Sequence, residues 1–401
     1  MGVGEIATDT RIIGHFGKGN VGPTVVFFGG IHGNEPSGNM AMEAVFSKLR
    51  EEQPPIRGTL YGIRGNIPAL LSGKRYLDQD LNRMWTVENI KKIKEKEEQE
   101  RHREEKELMA LYKLLATILE KESGPSYFID FHTTSSRTLP FITINDAMIN
   151  RKFSNLFPLP TILGIEEYLE GPLLSYINEQ GYLSLGFESG QHIEKEAVEN
   201  SISFMWLTLV YSGLIPKKAV KDFDVYFRQL KNAALNELRF FEILYRHPIL
   251  STHHFKMLPG FKSFQMVERG ELLAYQNNKK VLAPKKAKIF MPLYQNQGDE
   301  GFFLIGQIPH LALWLSAIFR KIKFDALLGL LPGVSWADRE KRTLMVNIKT
   351  ARILVKPIFH LLGYRSRRVN ERYILMSNRE HTAKNSMYAK TWWYKKKIRL
   401  K

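Results

Sequence analysis

The sequence predicts an α/β protein with a mixed sheet flanked by helices, followed by a small all-β domain and a basic C-terminal extension. Short apolar segments rich in β-branched and aromatic residues alternate with helix-like segments as far as about residue 220. This alternation is typical of a mostly parallel or mixed sheet that is covered by helices. The predicted strands are 24–28, 59–64, 127–131, 141–144 and 183–187, and the predicted helices between them are 40–50 and 108–122.

A different pattern begins after residue 220. Residues 222–246 carry apolar side chains at helical spacing, so we expect a helical connection over 221–254. From 255 to 310, short apolar segments are broken by proline and glycine, which predicts a separate β domain. Its predicted strands are 261–267, 272–275, 280–283, 288–292 and 301–305. The predicted regions are therefore an α/β domain (1–220), a helical connection (221–254), a small β domain (255–310) and a basic extension (311–401).

Composition limits the function classes. The chain has 401 residues and no cysteine, which excludes disulfides and thiolate metal sites, so any metal must be bound by His, Asp or Glu. The net charge of +17 is concentrated in residues 317–401, which hold 21 Lys/Arg against 5 Asp/Glu; the remainder holds 37 against 36. We find no secretory signal and no run of about 18 apolar residues, and expect a cytoplasmic protein.

Three polar motifs follow directly on predicted buried strands. His32 and Glu35 come after the first strand, His132 follows the third, and Glu188 follows the fifth. Each motif alone has a simple structural interpretation, as loop residues or as a hydrogen-bonded pair. However, strand ends of an open α/β sheet meet at one crevice, so we expect these side chains to converge on one site.

The residue types at these positions suit metal-assisted hydrolysis. Two histidines and one carboxylate form a ligand set for Zn²⁺ that leaves one position open for water, whose pKa falls to about 7. A further carboxylate outside that set can take a proton from the water and return it to a leaving amine, and Glu188 is available for this. Asp130 can orient the imidazole of His132.

A fourth motif, RYLDQDLNR at residues 75–83, offers groups for substrate binding. The planar guanidinium groups of Arg75 and Arg83 can bind a substrate carboxylate through two parallel hydrogen bonds. Asn82 can donate to a carbonyl oxygen as negative charge develops on it.

Together these motifs resemble the succinylglutamate desuccinylase and aspartoacylase family of zinc-dependent acylases, relatives of the zinc carboxypeptidases. Its pattern is G-x-H-G-x-E, N-P-x-A, R-[YF]-x-D-x-D-L-N-R, D-x-H and a late Glu. The chain contains these pieces in the same order, and residues 75–83 match every specified position. It departs from the pattern at Ile67, which separates Asn66 from Pro68.

The resemblance implies a zinc-carboxypeptidase-like catalytic domain over 1–220 and one Zn²⁺ per chain. It implies hydrolysis of an amide or ester bond of a small acylated, carboxylate-bearing substrate, such as an N-acyl amino acid. It also implies a C-terminal β domain that covers the site, from which we expect Tyr294 to reach over it. The implied metal ligands are His32, Glu35 and His132; Glu188 is the general acid/base, and Arg75, Asn82 and Arg83 contact the substrate.

The sequence leaves two alternatives and the oligomeric state open. One alternative is a zinc carboxypeptidase, or a deacylase of envelope peptides or lipids, held at the inner face of an anionic membrane by residues 317–401. The other is a non-enzymatic nucleic-acid-binding protein that uses the aromatic and basic residues at 392–399. It is disfavoured because the charge lies in one terminal segment and no nucleic-acid-binding motif is present.

Overall fold

The structure is a computed structural model that describes residues 10–17, 22–121, 123–250, 254–322, 324–339, 342–350, 362–368, 370 and 372–396. Its first seven strands are β1 Ile12–Phe16, β2 Thr24–Gly29, β3 Thr59–Arg64, β4 Ser126–Thr134, β5 Phe141–Ile144, β6 Thr161–Leu163 and β7 Leu183–Gln191. The next seven are β8 Phe240–Pro248, β9 Phe255–Met257, β10 Met266–Val267, β11 Leu272–Gln276, β12 Lys279–Leu282, β13 Ala287–Phe290 and β14 Glu300–Gln307. The last four are β15 Val334–Trp336, β16 Thr343–Asn347, β17 Tyr364–Arg368 and β18 Tyr373–Asn378.

Helices connect most of these strands. They are α1 Ser37–Glu52, α2 Ile67–Ser72, α3 Val87–Glu95, α4 Arg103–Lys121, α5 Met148–Ser154, α6 Leu173–Glu179, α7 Lys195–Tyr211, α8 Phe223–Ala233 and α9 His310–Lys321. Two further helical turns lie at Arg379–Thr382 and Asn385–Tyr388. The 3₁₀ turns are Leu81–Arg83, Glu98–Glu100, Ile165–Glu167, Lys217–Ala219 and Phe324–Leu330.

The central feature is an eleven-stranded mixed sheet in the order β1-β3-β2-β4-β7-β5-β6-β8-β14-β13-β10. Strands β3, β2, β4 and β7 run parallel, and β5 runs antiparallel to β7. The five strands predicted before residue 220 are confirmed, as is the mixed sheet. The predicted helices 40–50 and 108–122 correspond to α1 and α4.

Helices cover both faces of this sheet, and the alternation of side chains along β2 shows how. Val25 and Phe27 pack into the core shared with α1 and α7, whereas Val26 and Phe28 face the core under α4. All four are buried, because successive side chains of a strand point to opposite faces and both faces are covered. Polar side chains are therefore left to the strand ends.

The helical connection expected over 221–254 is wrong in its second half. Helix α8 ends at Ala233, and β8 follows and pairs with both β6 and β14 in the large sheet. Leu235 and Asn236 have φ angles of 50° and 58°, in the left-handed region that terminates a helix. The aromatic and β-branched residues after them then suit a strand.

The β domain expected over 255–310 is present but is not separate from the large sheet. Strands β10, β13 and β14 extend that sheet beyond β8, while β9, β11 and β12 form a three-stranded sheet beside it. The predicted strands at 272–275, 280–283, 288–292 and 301–305 correspond to β11, β12, β13 and β14. The one predicted at 261–267 is reduced to Met266–Val267.

The C-terminal extension expected over 311–401 is folded where the structure describes it. Strands β15, β16, β18 and β17 form a separate antiparallel sheet, and the chain then returns to the large sheet. Tyr388 and Trp393 are buried in the same core as Tyr127 and Phe153. Of this extension, residues 323, 340–341, 351–361, 369, 371 and 397–401 lie outside the described residues. In the described part of the chain, every helix is too short or too polar to cross a membrane.

Candidate active site

Three adjacent parallel strands, β2, β4 and β7, bring the predicted site residues together. His32 and Glu35 lie in the loop after β2, and His132 lies near the end of β4. Glu188 of β7 is the direct register partner of His132, so both side chains stand on one face of neighbouring strands. The loop after β2 packs closely on α2, because a Cβ at Gly33 would come within 2.1 Å of the carbonyl carbon of Ala69.

His32, Glu35 and His132 form a buried cluster whose potential ligand atoms all lie within 4.8 Å of one another. The Glu35 carboxylate lies between the two rings: Oε1 is 3.0 Å from Nδ1 of His32, and Oε2 is 3.1 Å from Nδ1 of His132. Two imidazole nitrogens and a carboxylate this close together match the donors of a catalytic zinc site. These residues therefore fit a divalent metal ion.

The other nitrogen of each ring is held by an aspartate. His32 Nε2 lies 3.1 Å from Asp80 Oδ1, and His132 Nε2 lies 2.8 Å from Asp130 Oδ2. A carboxylate that accepts the Nε2–H proton fixes the tautomer and leaves Nδ1 free to bind a metal. The sequence predicted this role for Asp130 but missed it for Asp80. Its signal was available, because Asp80 is a specified position of the 75–83 motif.

Opposite charges offset the cost of burying these acids. Burial by itself raises the pKa of Asp80, but the His32 ring and the Arg75 guanidinium hold that pKa well below its ordinary value. Burial likewise acts to raise the pKa of Glu35, and the two histidines bring it well below the ordinary value. Both groups are therefore carboxylates at neutral pH, as metal binding and imidazole orientation require.

Glu188 has the opposite electrostatic environment. Burial, together with the nearby carboxylates of Glu35 and Asp130, raises the pKa of Glu188 to about 8, although His132 acts to lower it. Its Oε2 atom is buried and has no hydrogen-bond partner among the described residues. A carboxyl group of this kind can hold a proton near neutral pH and is not committed to a structural contact.

The three residues expected to contact the substrate, Arg75, Asn82 and Arg83, each contact a different protein group. Arg75 directs Nε and Nη2 to Asp80 Oδ2, at 3.2 and 2.9 Å, so it supports the aspartate that holds His32. Arg83 Nη2 lies 3.3 Å from Glu300 Oε2 on β14. Asn82 Oδ1 accepts a hydrogen bond from the Leu173 backbone amide, and Asn82 Nδ2 donates to none of the described residues.

A cavity of about 110 Å³ opens beside this cluster. Met291 lines it, whereas Tyr294, expected to reach over the site, does not. The Tyr294 hydroxyl instead donates to the Leu258 carbonyl at 2.7 Å, within the β domain. The cavity is lined by His32, Glu35, Arg75, Asn82, Arg83, His132, Thr133, Thr143, Ile144, Asn145, Ile165, Glu166, Leu169, Pro172, Leu174, Ser175, Ser184, Gly186, Glu188 and Met291.

The β domain does contact the site, through a residue that the sequence did not single out. Gln295 Oε1 accepts from Asn34 Nδ2 at 2.9 Å and lies 3.1 Å from His192 Nε2. His192 Nδ1 in turn lies 2.7 Å from the Thr133 hydroxyl, beside the metal cluster. Neither His192 nor Gln295 belongs to a recognisable motif, so only the folded structure reveals this link.

Comparisons with known proteins agree with this geometry. Residues 21–202 match the family model of the succinylglutamate desuccinylase/aspartoacylase catalytic domain. Succinylglutamate desuccinylases of Yersinia enterocolitica and Yersinia pestis are 42% and 40% identical to this chain over 62 residues. That match covers 16% of this chain and 19% of each relative. The chain thus spans about a fifth of the length of the curated relatives that it matches.

Solved structures share the fold. A succinylglutamate desuccinylase/aspartoacylase from Rhodobacter sphaeroides aligns at 17% identity and a TM-score of 0.54, covering 72% of this chain and 87% of that one. The ectoine utilization protein EutE (DoeB) from Ruegeria pomeroyi aligns at 16% identity and a TM-score of 0.53, covering 73% and 87%. Residues 21–202 are therefore similar to the succinylglutamate desuccinylase/aspartoacylase catalytic domain, and the chain shares the fold of these solved structures.

Proposed function

We propose that this protein is a zinc-dependent hydrolase that cleaves the amide, or ester, bond of a small acylated compound bearing a carboxylate, such as an N-acyl amino acid. The observation that carries the proposal is the position of the Glu35 carboxylate, whose two oxygens lie at about the same distance from Nδ1 of His32 and Nδ1 of His132. Glu188 lies beside His132 on the neighbouring strand. The similarity of residues 21–202 to a catalytic-domain family, and of 62 residues to proteins named succinylglutamate desuccinylase, supports it.

In this proposal, His32, Glu35 and His132 hold one Zn²⁺, and Asp80 and Asp130 orient the two rings. The ion, when bound, supplies a water of pKa about 7 and polarises the scissile carbonyl. Glu35 is further fixed by the Thr133 backbone amide, which donates to Oε2 at 2.8 Å. The ligand set is therefore organised before the metal arrives.

Glu188 moves the proton. Its unpartnered Oε2 atom accepts a proton from the attacking water and passes it to the leaving nitrogen as the C–N bond breaks. Asn82 Nδ2 is available to donate to the carbonyl oxygen as negative charge develops there. Arg83, one-fifth exposed and bound to Glu300, is the guanidinium that we assign to the substrate carboxylate.

The test combines metal analysis with turnover of a panel of N-acyl amino acids. We expect near-stoichiometric zinc in the purified protein and hydrolysis that chelation abolishes and zinc restores. Glu188→Gln should retain the zinc and lose the activity. Purified protein without bound metal, together with activity unchanged in Glu188→Gln, would show that the proposal is wrong.

A surface feature favours the membrane-held form of the enzyme as a second candidate. Leu311, Trp314, Ile318 and Ile322 follow one another at spacings of 3, 4 and 4 residues, and thus lie on one face of α9 and its C-terminal turn. Leu311, Trp314 and Ile322 are 65%, 50% and 60% exposed. An apolar stripe with three exposed side chains, next to the basic residues 317–401, suits the surface of an anionic bilayer at the inner face of a membrane.

Vesicle co-sedimentation tests this candidate. The protein should bind vesicles of phosphatidylcholine with phosphatidylglycerol and not those of phosphatidylcholine alone. The double change Leu311→Glu and Trp314→Glu should abolish binding, whereas Leu71→Glu, at an exposed leucine of α2, should not. No binding by the unchanged protein would eliminate the membrane-held form.

The nucleic-acid alternative, which relied on the aromatic and basic residues at 392–399, keeps Trp392 as an exposed ring but loses Trp393. Trp393, offered by the sequence as a base-stacking residue, is 1% exposed and packs in the protein core. Stacking on a base requires an exposed ring face. Residues 397–399 of that predicted cluster lie outside the described residues.

A further inference from the structure

The active-site cavity runs inward from Glu188 along β7. Ser184, Gly186 and Glu188 all line it, as alternate residues on one face of the strand. The distance along the strand from Glu188 to Ser184 is about 13 Å, at about 3.3 Å per residue. Ser184 and Gly186 are small, and Gly186 packs so closely that a Cβ there would come within 2.3 Å of the Thr143 hydroxyl oxygen. A larger side chain at position 186 would therefore not fit against Thr143 on this wall of the cavity.

Neighbouring elements form the inner walls. Because Thr143 pairs with Gly186 across antiparallel strands, residues 144 and 145 lie beside Ser184. Residues 165 and 166 follow β6, which runs parallel to β5, so they lie at the same edge of the sheet as residues 144 and 145. The apolar side chains of these walls are Ile144, Ile165, Leu169 and Leu174.

Among the described residues, the inner walls offer no cation that could pair with a second carboxylate. Among the described lining residues, the Lys and Arg side chains are Arg75 and Arg83, and each is bound to an acid. The inner end instead holds Glu166, a buried acid whose Oε1 is 2.6 Å from Arg379 Nη2. The Ser184 hydroxyl donates to the Leu174 carbonyl at 3.2 Å, so it is also satisfied within the protein.

We infer that the half of the substrate entering this cavity is an uncharged aliphatic acyl group, and that a succinyl or other dicarboxylic acyl group is excluded. This rests on the proposed hydrolase function. The apolar walls stabilise each methylene group that they remove from water, which corresponds to about a fourfold gain in kcat/KM per methylene. A carboxylate placed there would be desolvated beside Glu166 without a counter-ion of its own.

Two acyl groups of nearly the same shape test the inference. N-(4-methylpentanoyl) and N-succinyl derivatives of the same amino acid differ mainly in carrying an isopropyl or a carboxylate end. The zinc-loaded protein should hydrolyse the first with a kcat/KM about 100-fold higher, given the cost of burying an unpaired charge. Equal rates, or a preference for succinyl, would overturn the inference. The comparison is repeated with several amino acids, so that the amine half does not decide it.

A designed cation provides the second arm. Leu174→Arg places a guanidinium on the inner wall and should shift the preference towards succinyl by about tenfold or more. Leu71→Arg, on the exposed face of α2, should leave the preference unchanged. Circular dichroism and zinc content establish that each variant is folded, and Leu169→Arg replaces Leu174→Arg if the latter is not. A folded wall variant with unchanged preference contradicts the inference.

Binding of the free acids separates this inference from the proposed function. If none of the amides is hydrolysed, the hydrolase proposal fails, but calorimetric titration of zinc-loaded protein still reports on the cavity. We expect 4-methylpentanoate to bind about tenfold or more tightly than succinate. Succinate binding as tightly as 4-methylpentanoate would overturn the inference by itself.

Discussion

Glu188 shows how the position of one side chain determines its chemistry. Glu35 and Glu188 are both buried glutamates of the same site, yet histidines surround the first and carboxylates approach the second. The pKa of Glu35 falls and that of Glu188 rises. The two acids are therefore suited to different roles, one as a permanent anion and the other as a proton carrier.

Replacing Glu188 tests this division of roles. Glu188→Gln keeps the shape of the side chain but removes its proton-accepting oxygen, so we expect kcat to fall by about 10²- to 10⁴-fold. Zinc content should be unchanged, because Glu188 is not in the ligand set. Steady-state kinetics and metal analysis on the same preparation measure both, with Glu170→Gln at an exposed position as the control. Loss of zinc in Glu188→Gln would instead make it a ligand.

Asp130 provides a prediction about metal affinity. It accepts a hydrogen bond from His132 Nε2 at 2.8 Å, and Asp130→Asn removes the negative charge that holds the ring. Zinc affinity should fall by about 10- to 100-fold, as measured by competition with a chromophoric chelator. Asp224→Asn, on the exposed side of α8, should have no effect. Unaltered affinity in Asp130→Asn would exclude a role in orienting the ring.

At the scale of elements, the C-terminal segment is part of the α/β core. The Tyr388 hydroxyl donates to Ser126 O at 2.5 Å and accepts from Leu183 N at 2.9 Å, so it joins the starts of β4 and β7. These strands carry His132 and Glu188 at their other ends. The segment therefore stabilises the strands that hold the candidate site.

Two adjacent tryptophans allow a matched test of this element. Trp393 is 1% exposed, and its ring lies 5.2 Å from that of Phe153, whereas Trp392 is 44% exposed. Trp393→Ala should lower the free energy of unfolding by about 3–5 kcal/mol. Trp392→Ala should lower the free energy of unfolding by about 1 kcal/mol, because the hydrogen bond from Trp392 to the Tyr211 carbonyl is lost. Chemical denaturation measures both, and equal effects would contradict the docking of this segment.

At the scale of the whole molecule, a buried ion network joins three parts of the chain. Asp146, before α5, pairs with Arg151 of that helix and with Arg320 of α9. Arg320 also pairs with Glu380 of the C-terminal segment at 2.9 Å. Burial acts to raise the pKa of Asp146, but Arg151 and Arg320 hold that pKa well below its ordinary value.

The lowered pKa makes this network dependent on pH. A carboxyl whose pKa is lower in the folded than in the unfolded chain stabilises the fold fully above its unfolded pKa of about 3.9. That contribution is lost as the pH falls below this value. The free energy of unfolding should therefore decrease more steeply below about pH 4 in the unchanged protein than in Asp146→Asn.

At pH 7, Asp146→Asn should itself destabilise the protein by about 3 kcal/mol or more, because two buried guanidinium groups lose a partner. Denaturant unfolding at pH 7 and across pH 3–5 measures both effects. Glu268→Gln, at an exposed surface ion pair, is the control and should change stability by less than about 1 kcal/mol. Parallel pH curves for Asp146→Asn and the unchanged protein would contradict the pH dependence.

Local sequence patterns determined the strands before residue 220 and the placement of His32, Glu35, His132 and Glu188. Each strand is a short apolar run buried on both faces, and each polar residue follows where that apolar run ends. These signals require no knowledge of distant contacts. The residues before position 220 could therefore be interpreted from the sequence one strand at a time.

Contacts between distant parts of the chain decided the rest. Arg75 binds Asp80 beside the metal cluster, Gln295 reaches His192 from the β domain, and Trp393 enters the α/β core. A charged or aromatic side chain has the same local sequence whether it meets solvent, substrate or another side chain. Its partner is fixed only when the sheet brings the segments together. The sequence by itself therefore determined the residues of the candidate metal site, and the tertiary structure alone decided what surrounds them.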